Sequence, residues 1–342
     1  MTQRHVFLAA SVVALVACAD GPTTASQPTA VAAPHAALVP LDKFGIGQGG
    51  NGNACRAAEY RQFDFWVGNW DIQNLNGIST GSSVVSSVLG GCAVLENYFG
   101  DAGRSVSAYD NATGTWNQFY VASGGGILLL RGGFQSDSMI LSEQRGPVIN
   151  DVWAWTSIDA NTVKQHQRIF FNGVPGGGFV GIYVRRADPA PVTPGPVTTC
   201  ANVPWRQMDF LLGTWDVFEG RGSGAPQGSL TVRTGAAGCL LEETITGHAG
   251  FEGLAYGSYH PQVQRWFRAY MDTDGRYLRM NGVKTGNRMV LTGNRIAANG
   301  ALVVVRLSWE PVTADRVSQR WEFSLDGGTT FVAEREYTFV KR

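Results

Sequence analysis

The 342 residues carry no excess of either charge: 27 Lys and Arg balance 27 Asp and Glu, and the basic residues are scattered. A nucleic-acid surface needs clustered cations to displace counterions from phosphates, so the pattern speaks against a nucleic-acid partner. There is no Cys-x-x-Cys and no His spacing that would hold zinc, which speaks against a metal site. No Gly-x-Ser-x-Gly is present, so a serine-hydrolase elbow is excluded. The glycine runs at 173–178 and 124–126 contain no Lys and follow no strand-to-helix pattern, which argues against a phosphate cradle. No apolar run is long enough for a permanent membrane helix, and no amphipathic helix of any length is written. Glycine is abundant instead, with 44 residues lying between short apolar or aromatic runs where strands turn and bulge. That composition predicts an all-β chain.

The chain is organised around a stretch that it carries twice. Gln62-Phe63-Asp64-Phe65-Trp66-Val67-Gly68-Asn69-Trp70-Asp71 returns as Gln207-Met208-Asp209-Phe210-Leu211-Leu212-Gly213-Thr214-Trp215-Asp216. Solenoid repeats have periods of only ~20–50 residues, so a repeat at this distance means two similar domains. Further along, Tyr109, Trp116, Tyr120, Leu128, Leu130 and Gly132 match Tyr259, Trp266, Tyr270, Leu278, Met280 and Gly282. Later still, Trp155, Val163, Gln165, Asn172-Gly173 and Tyr183 match Trp309, Val317, Gln319, Asp326-Gly327 and Tyr337. The Asn-Gly and Asp-Gly pairs between alternating runs signal hairpins.

The repeat also orders the cysteines. Setting Cys18 aside, one bond inside each copy, Cys55–Cys92 and Cys200–Cys239, is the pairing that treats both copies alike. Closing a loop of ~40 residues restricts the unfolded chain by roughly 4 kcal/mol in the entropic account.

Residues 1–17 read as a signal peptide: Arg4 and His5 precede the apolar run 6–16. Leu15-Val16-Ala17-Cys18 resembles a bacterial lipobox, which implies lipidation of Cys18 and a membrane partner through that lipid. The alternative is an ordinary signal cut further on, within 25–33. Either way the chain is expected in the cell envelope, on its periplasmic or surface side. Ala19 after the cysteine favours the outer membrane where there is one. Residues 18–53 read as a flexible tether. A first domain at 54–187, opening on a short helical turn over 54–61, is joined by a Pro-rich linker at 188–199 to a second at 200–342.

Each domain offers eight to ten short strands, which can hide their edges by closing into an antiparallel barrel. Here a resemblance becomes usable. Phe63-Asp64-Phe65-x-x-Gly68-x-Trp70-Asp71, the Gly-Cys92-x-x-x-Glu96 run and Tyr109-Asp110…Trp116 resemble an uncharacterised bacterial domain family with a lipocalin-like (calycin) barrel. The Gly-x-Trp is similar to the one that calycins, haem-binding nitrobindins among them, place at the closed base. The resemblance covers nearly all of both domains and implies two tandem lipocalin-like barrels, and by analogy a cavity in each. Haem is disfavoured, because none of His166, His248 and His260 recurs in the other copy. No cofactor is expected.

Strand alternation assigns faces, and the two copies check each other. Cys92, Val94, Glu96 and Tyr98 share a face, as do Cys239, Leu241, Glu243 and Ile245; the opposite face of Ala93, Leu95 and Asn97, or Leu240, Glu242 and Thr244, suits solvent. Glu96 and Glu243 therefore point inward, with Gln165 and Gln319 beside them and His166 facing water. A polar pair in an apolar cup can orient a small ligand. Trp116, Tyr120, Trp266 and Tyr270 are candidates to line the same pocket. The same residues can instead be structural, each Glu paired with Gln, Arg131 or Arg279 and the aromatics packed as core. Trp70 and Trp215 read as plugs at the barrel base with an Arg stacked on them, and Asp71 and Asp216 as turn or cap residues rather than catalytic acids.

The expected function is to hold a small, mostly apolar molecule. The alternatives are an envelope scaffold that binds a protein partner, and an enzyme that uses one inward Glu as acid or base.

Overall fold

A computed structural model describes residues 54–187, 198–297 and 299–342. The signal segment, Cys18, the tether and most of the linker lie outside them. The first domain contains β1 (Gly68–Gln73), β2 (Ser79–Val88), β3 (Ala93–Tyr98), β4 (Arg104–Asp110), β5 (Thr115–Val121), β6 (Ile127–Gln135), β7 (Ser138–Arg145), β8 (Ile149–Asp159), β9 (Thr162–Phe171), β10 (Val174–Pro175) and β11 (Val180–Arg185). Each strand pairs with its chain neighbour, β11 returns between β9 and β1, and β8 pairs with β9, so ten strands close a ring from which the two-residue β10 hangs. In the second domain β12 (Gly213–Glu219), β13 (Gly228–Gly235), β14 (Leu240–Gly247), β15 (Glu252–His260), β16 (Arg265–Asp272), β17 (Tyr277–Thr285), β18 (Arg288–Ile296), β19 (Leu302–Thr313), β20 (Arg316–Ser324) and β21 (Val332–Lys341) form a closed ten-stranded antiparallel barrel. Closure leaves the rings themselves without an open edge. Among the described residues no helix is long and apolar enough to cross a membrane.

The repeated motif plugs each barrel. In both copies a 3₁₀ turn, Asp64–Trp66 or Asp209–Leu211, precedes the first strand. The Trp70 indole donates to the carbonyl of Trp66 at 2.9 Å, and that of Trp215 to Leu211 at 2.7 Å. Both rings are fully buried, as the plug reading requires. The stacked cation is Arg185 over Trp70 at 4.2 Å but Lys341 over Trp215 at 5.3 Å. Gln62 and Gln207 accept from Trp116 at 3.1 Å and Trp266 at 3.0 Å, tying the turn to the middle of the barrel. Asp71 and Asp216 do not cap turns; they lie within β1 and β12 and bind Arg186 at 3.0 Å and Arg342 at 2.6 Å, so each fastens the last strand to the first.

Both disulfides join cysteines of the same copy, Cys55–Cys92 and Cys200–Cys239. Beside each, an arginine that precedes the repeated motif, Arg61 or Arg206, donates to the carbonyl of Gly91 or Gly238 and pairs with Asp64 at 3.5 Å or Asp209 at 3.6 Å.

Two further expectations need correction. Tyr183 does not correspond to Tyr337: it faces Ile72 on β1 and Val163 on β9, the place that Phe339 takes against Val217 and Val317. A slip of two residues keeps every side chain on its face, so alternation could not detect it. The outer face of β3 and β14 is also only partly given to solvent: Thr244 is exposed, but the start of each strand is buried. Ala93 and Leu240, 0% and 1% exposed, belong to an apolar cluster drawn from both barrels, with Val106, Phe119 and Val121 from the first and Tyr256, Ala269 and Met271 from the second. Burying apolar surface on both sides of a strand is worth about as much between barrels as inside one.

This contact has an approximate two-fold symmetry. A Cβ on Gly125 would strike Trp205 beside Cys200, and one on the matching Gly275 would lie 2.8 Å from the Tyr60 hydroxyl and 3.1 Å from the sulfur of Cys55. The β5–β6 turn of one barrel thus covers the disulfide turn of the other, and the reverse. Arg104 meets Glu242 across the contact at 3.6 Å.

Candidate functional site

The inward glutamates are where strand alternation puts them, 5% exposed for Glu96 and 2% for Glu243, but the two barrels treat them differently. Glu243 is held by Arg268 through two parallel bonds, Nε to Oε1 at 2.8 Å and Nη2 to Oε2 at 2.7 Å. Arg268 itself lies between the rings of Tyr270 and Trp309, 5.5 and 5.3 Å from their centroids. Its Nη1 is buried with no hydrogen-bond partner. The cation that meets Glu243 is therefore Arg268 rather than Arg279, which donates across to the carbonyl of Leu129 at 3.3 Å. Arg131 likewise bonds Thr115 on the outer surface at 3.0 Å and not Glu96.

Glu96 sits among hydroxyls. Ser83 donates to Oε1 at 2.8 Å and Ser105 to Oε2 at 3.2 Å, with the Tyr183 oxygen 3.5 Å from Oε1. Tyr183 has one hydrogen, and the shorter contact, 2.8 Å to Gln165 Oε1, takes it. A protonated Glu96 can then donate toward the Tyr183 oxygen. Burial supports that state: desolvation pushes the carboxyl up to about 7, against the pull of the Ser83 and Ser105 hydroxyls. Strand register shows what changed between the copies. Ser83, Ser105 and Tyr183 stand where the second barrel has Leu230, Ala255 and Phe339, and Gln118 stands where it has Arg268. Gln118 turns away to donate to Ser107 at 3.0 Å.

The other candidates divide. Trp116 and Trp266 are core, bonded to the plug as described. Tyr120 donates to Asp101 at 3.1 Å near one end of the first barrel. Tyr270 donates to the buried Asp272 at 3.0 Å. Gln319 accepts from Trp321 at 3.0 Å and lines one cavity with Glu243, Arg268 and Tyr270. That cavity holds about 20 Å³, space for a water rather than for the ligand expected there. His166 is half-buried, and desolvation lowers its pKa. Among the described residues no cluster of His, Cys, Asp and Glu could hold a metal.

The large hollow lies elsewhere. A cleft of about 1020 Å³ runs between the barrels, against about 560 Å³ for a shallower groove on the outside of β17 and β18. Its first wall is Tyr60, the β4–β5 turn from Asp110 to Thr113, Asn117 and Arg131; its second is the β16–β17 turn with Asp274, Arg276 and Tyr277, then Arg279, Asn281 and the end of β18. Sequence reasoning missed it because a cleft between domains depends on how they dock, which no periodicity records.

The fold and the buried sites define a protein of two docked antiparallel barrels, an architecture that a calycin-like fold fits. No protein-family model matches the chain, and no curated protein does. Among solved structures it is similar to a protein of unknown function from the DUF3598 family of Nostoc punctiforme, at 12% identity over 84% of this chain and 100% of that one. The TM-score is 0.24.

Proposed function

We propose that this is an exported, lipid-anchored binding protein without catalytic activity, which holds a small molecule in the cleft between its barrels. The observation that carries the reading is the contrast of volumes: about 1020 Å³ between the barrels against about 20 Å³ beside Glu243. Ligand sites occupy hollows of ~300–1,000 Å³ and favour domain interfaces. The barrels act as walls, and their inward glutamates are engaged by Arg268 or by Ser83 and Ser105. Native mass spectrometry of protein purified from its own host tests this. A small molecule should be retained by the wild-type chain and lost from a variant whose cleft is filled by Thr113→Trp; retention by both places the ligand elsewhere. One observation favours the partner-protein alternative: Val148, Phe171 and Val174, 43%, 49% and 65% exposed, form an apolar tip at the β8–β9–β10 end of the first barrel.

A further inference from the structure

The chemistry of the cleft walls narrows the ligand. Four arginines and two aspartates line it, an excess of two positive charges on a chain with no net charge. Two of the arginines are committed to the fold: Arg276 binds Asp272 at 3.4 Å and Asp274 at 2.6 Å, and Arg295 binds Glu334 at 3.3 Å. The other two, Arg131 from the first barrel and Arg279 from the second, form no ion pair among the described residues; the acceptors named above, Thr115 and Leu129, are neutral.

Arg279 reaches across to the Leu129 carbonyl on β6, two residues from Arg131 on the same face of that strand, and both arginines line the cleft with Tyr277. Burial dominates that hydroxyl and pushes it up to about 12, while Arg279 and Arg131 each pull it down and Asp110 pushes it up. Two guanidiniums from opposite walls of one cleft make a place where a carboxylate or phosphate can be held by fork-shaped donors on both sides.

Residues common to both domains are what the barrel needs. Arg131 has Asn281 at the matching position and Arg279 has Leu129, so neither charge is required by the fold.

Resting on the reading that the cleft is the ligand site, we propose that its ligand is an anion, a molecule with a carboxylate or phosphate group clamped between Arg131 and Arg279. Asn117 and Asn281 beside the clamp offer amides to hydroxyls on the rest of the molecule.

The test is calorimetric titration of the full chain at low salt with citrate, inorganic phosphate and the neutral sugar trehalose. Citrate or phosphate should bind at one site per chain and more weakly as salt rises. Arg131→Gln or Arg279→Gln should each lower that affinity about tenfold, while Arg288→Gln on the outer groove should leave it unchanged. Equal affinity in the Arg131→Gln/Arg279→Gln double variant would overturn the clamp, as would no measurable binding of either anion at millimolar concentration. Trehalose binding that Thr113→Trp abolishes would keep the cleft as the site and remove the anion.

Discussion

At the scale of single residues, the two glutamates make opposite predictions for one substitution. Glu96 is a carboxyl among hydroxyls, its pKa raised from 4.5 to about 7. Below pH 4.5 it is protonated in folded and unfolded chains alike, and the network contributes fully. As pH rises the unfolded chain ionises first, so stability falls between pH 4.5 and about 7. The loss is about 3 kcal/mol at 1.36 kcal/mol per unit. Glu96→Gln should therefore flatten this part of the stability–pH profile and raise the urea midpoint at pH 8. Glu243→Gln should instead lower stability by about 3–5 kcal/mol, and with it the midpoint, because Arg268 would be left buried without its counter-charge. The same sign for both variants at pH 8 would refute the difference between the barrels. The glutamates themselves were legible in the sequence, since both copies carry them on an alternating strand. Their partners were not: Ser83, Ser105, Tyr183 and Arg268 lie on other strands, and which residue faces which across a barrel is set by register. The signal was present as inward positions that differ between the copies, but it becomes readable only once strands are paired.

At the scale of elements, the disulfide turn is more than a covalent link. Gly91 has φ +95°, its carbonyl accepts from Arg61, and a Cβ there would run into the guanidinium. Gly90 next to it has φ +63° and open space, and the second copy puts Ala237 at the same place with φ 55°. The duplication has thus already performed one of two substitutions. Gly90→Ala should lower stability by about 1 kcal/mol or less, and Gly91→Ala by about 2–3 kcal/mol, since it adds displacement of the clamp to backbone strain. Urea midpoints at unchanged m-value would measure both; equal losses would mean that the Arg61 clamp does not stabilise the turn. Strands and turns were the most legible level. Asn172 and Gly173, with φ 49° and 80°, make the tight hairpin that their sequence announces, whereas Asp326 instead accepts from the backbone amides of Thr329 and Thr330 in a wider loop. The two-residue slip of Tyr183 and the outer face of β3 were illegible for one reason: alternation says which side a residue faces and neither how far along it sits nor what lies beyond.

At the scale of the whole molecule, the barrels meet through matching patches. Val106 and Tyr256, Val121 and Met271, and Ala93 and Leu240 occupy equivalent strand positions and lie in one apolar cluster. A contact of the same surface on both partners is what a two-fold dimer uses, here written into one chain. The copies differ within it: Phe119 is large where Ala269 is small, and Ala93 is small where Leu240 is large. The cleft is a by-product of this docking, and its charges differ between the walls because no symmetry constrains them. If the patches rather than the linker hold the barrels together, cutting a protease site placed in 188–197 should leave two fragments that co-elute at micromolar concentration. Ala108→Arg with Ala269→Arg puts two charges into the buried contact, from positions 2% and 0% exposed, and should release the fragments with their β-sheet circular dichroism intact. Separation of the unsubstituted fragments on cutting would make the linker the source of the arrangement, and a cleft that depends on a tether could not hold Arg131 and Arg279 at a fixed distance from one anion.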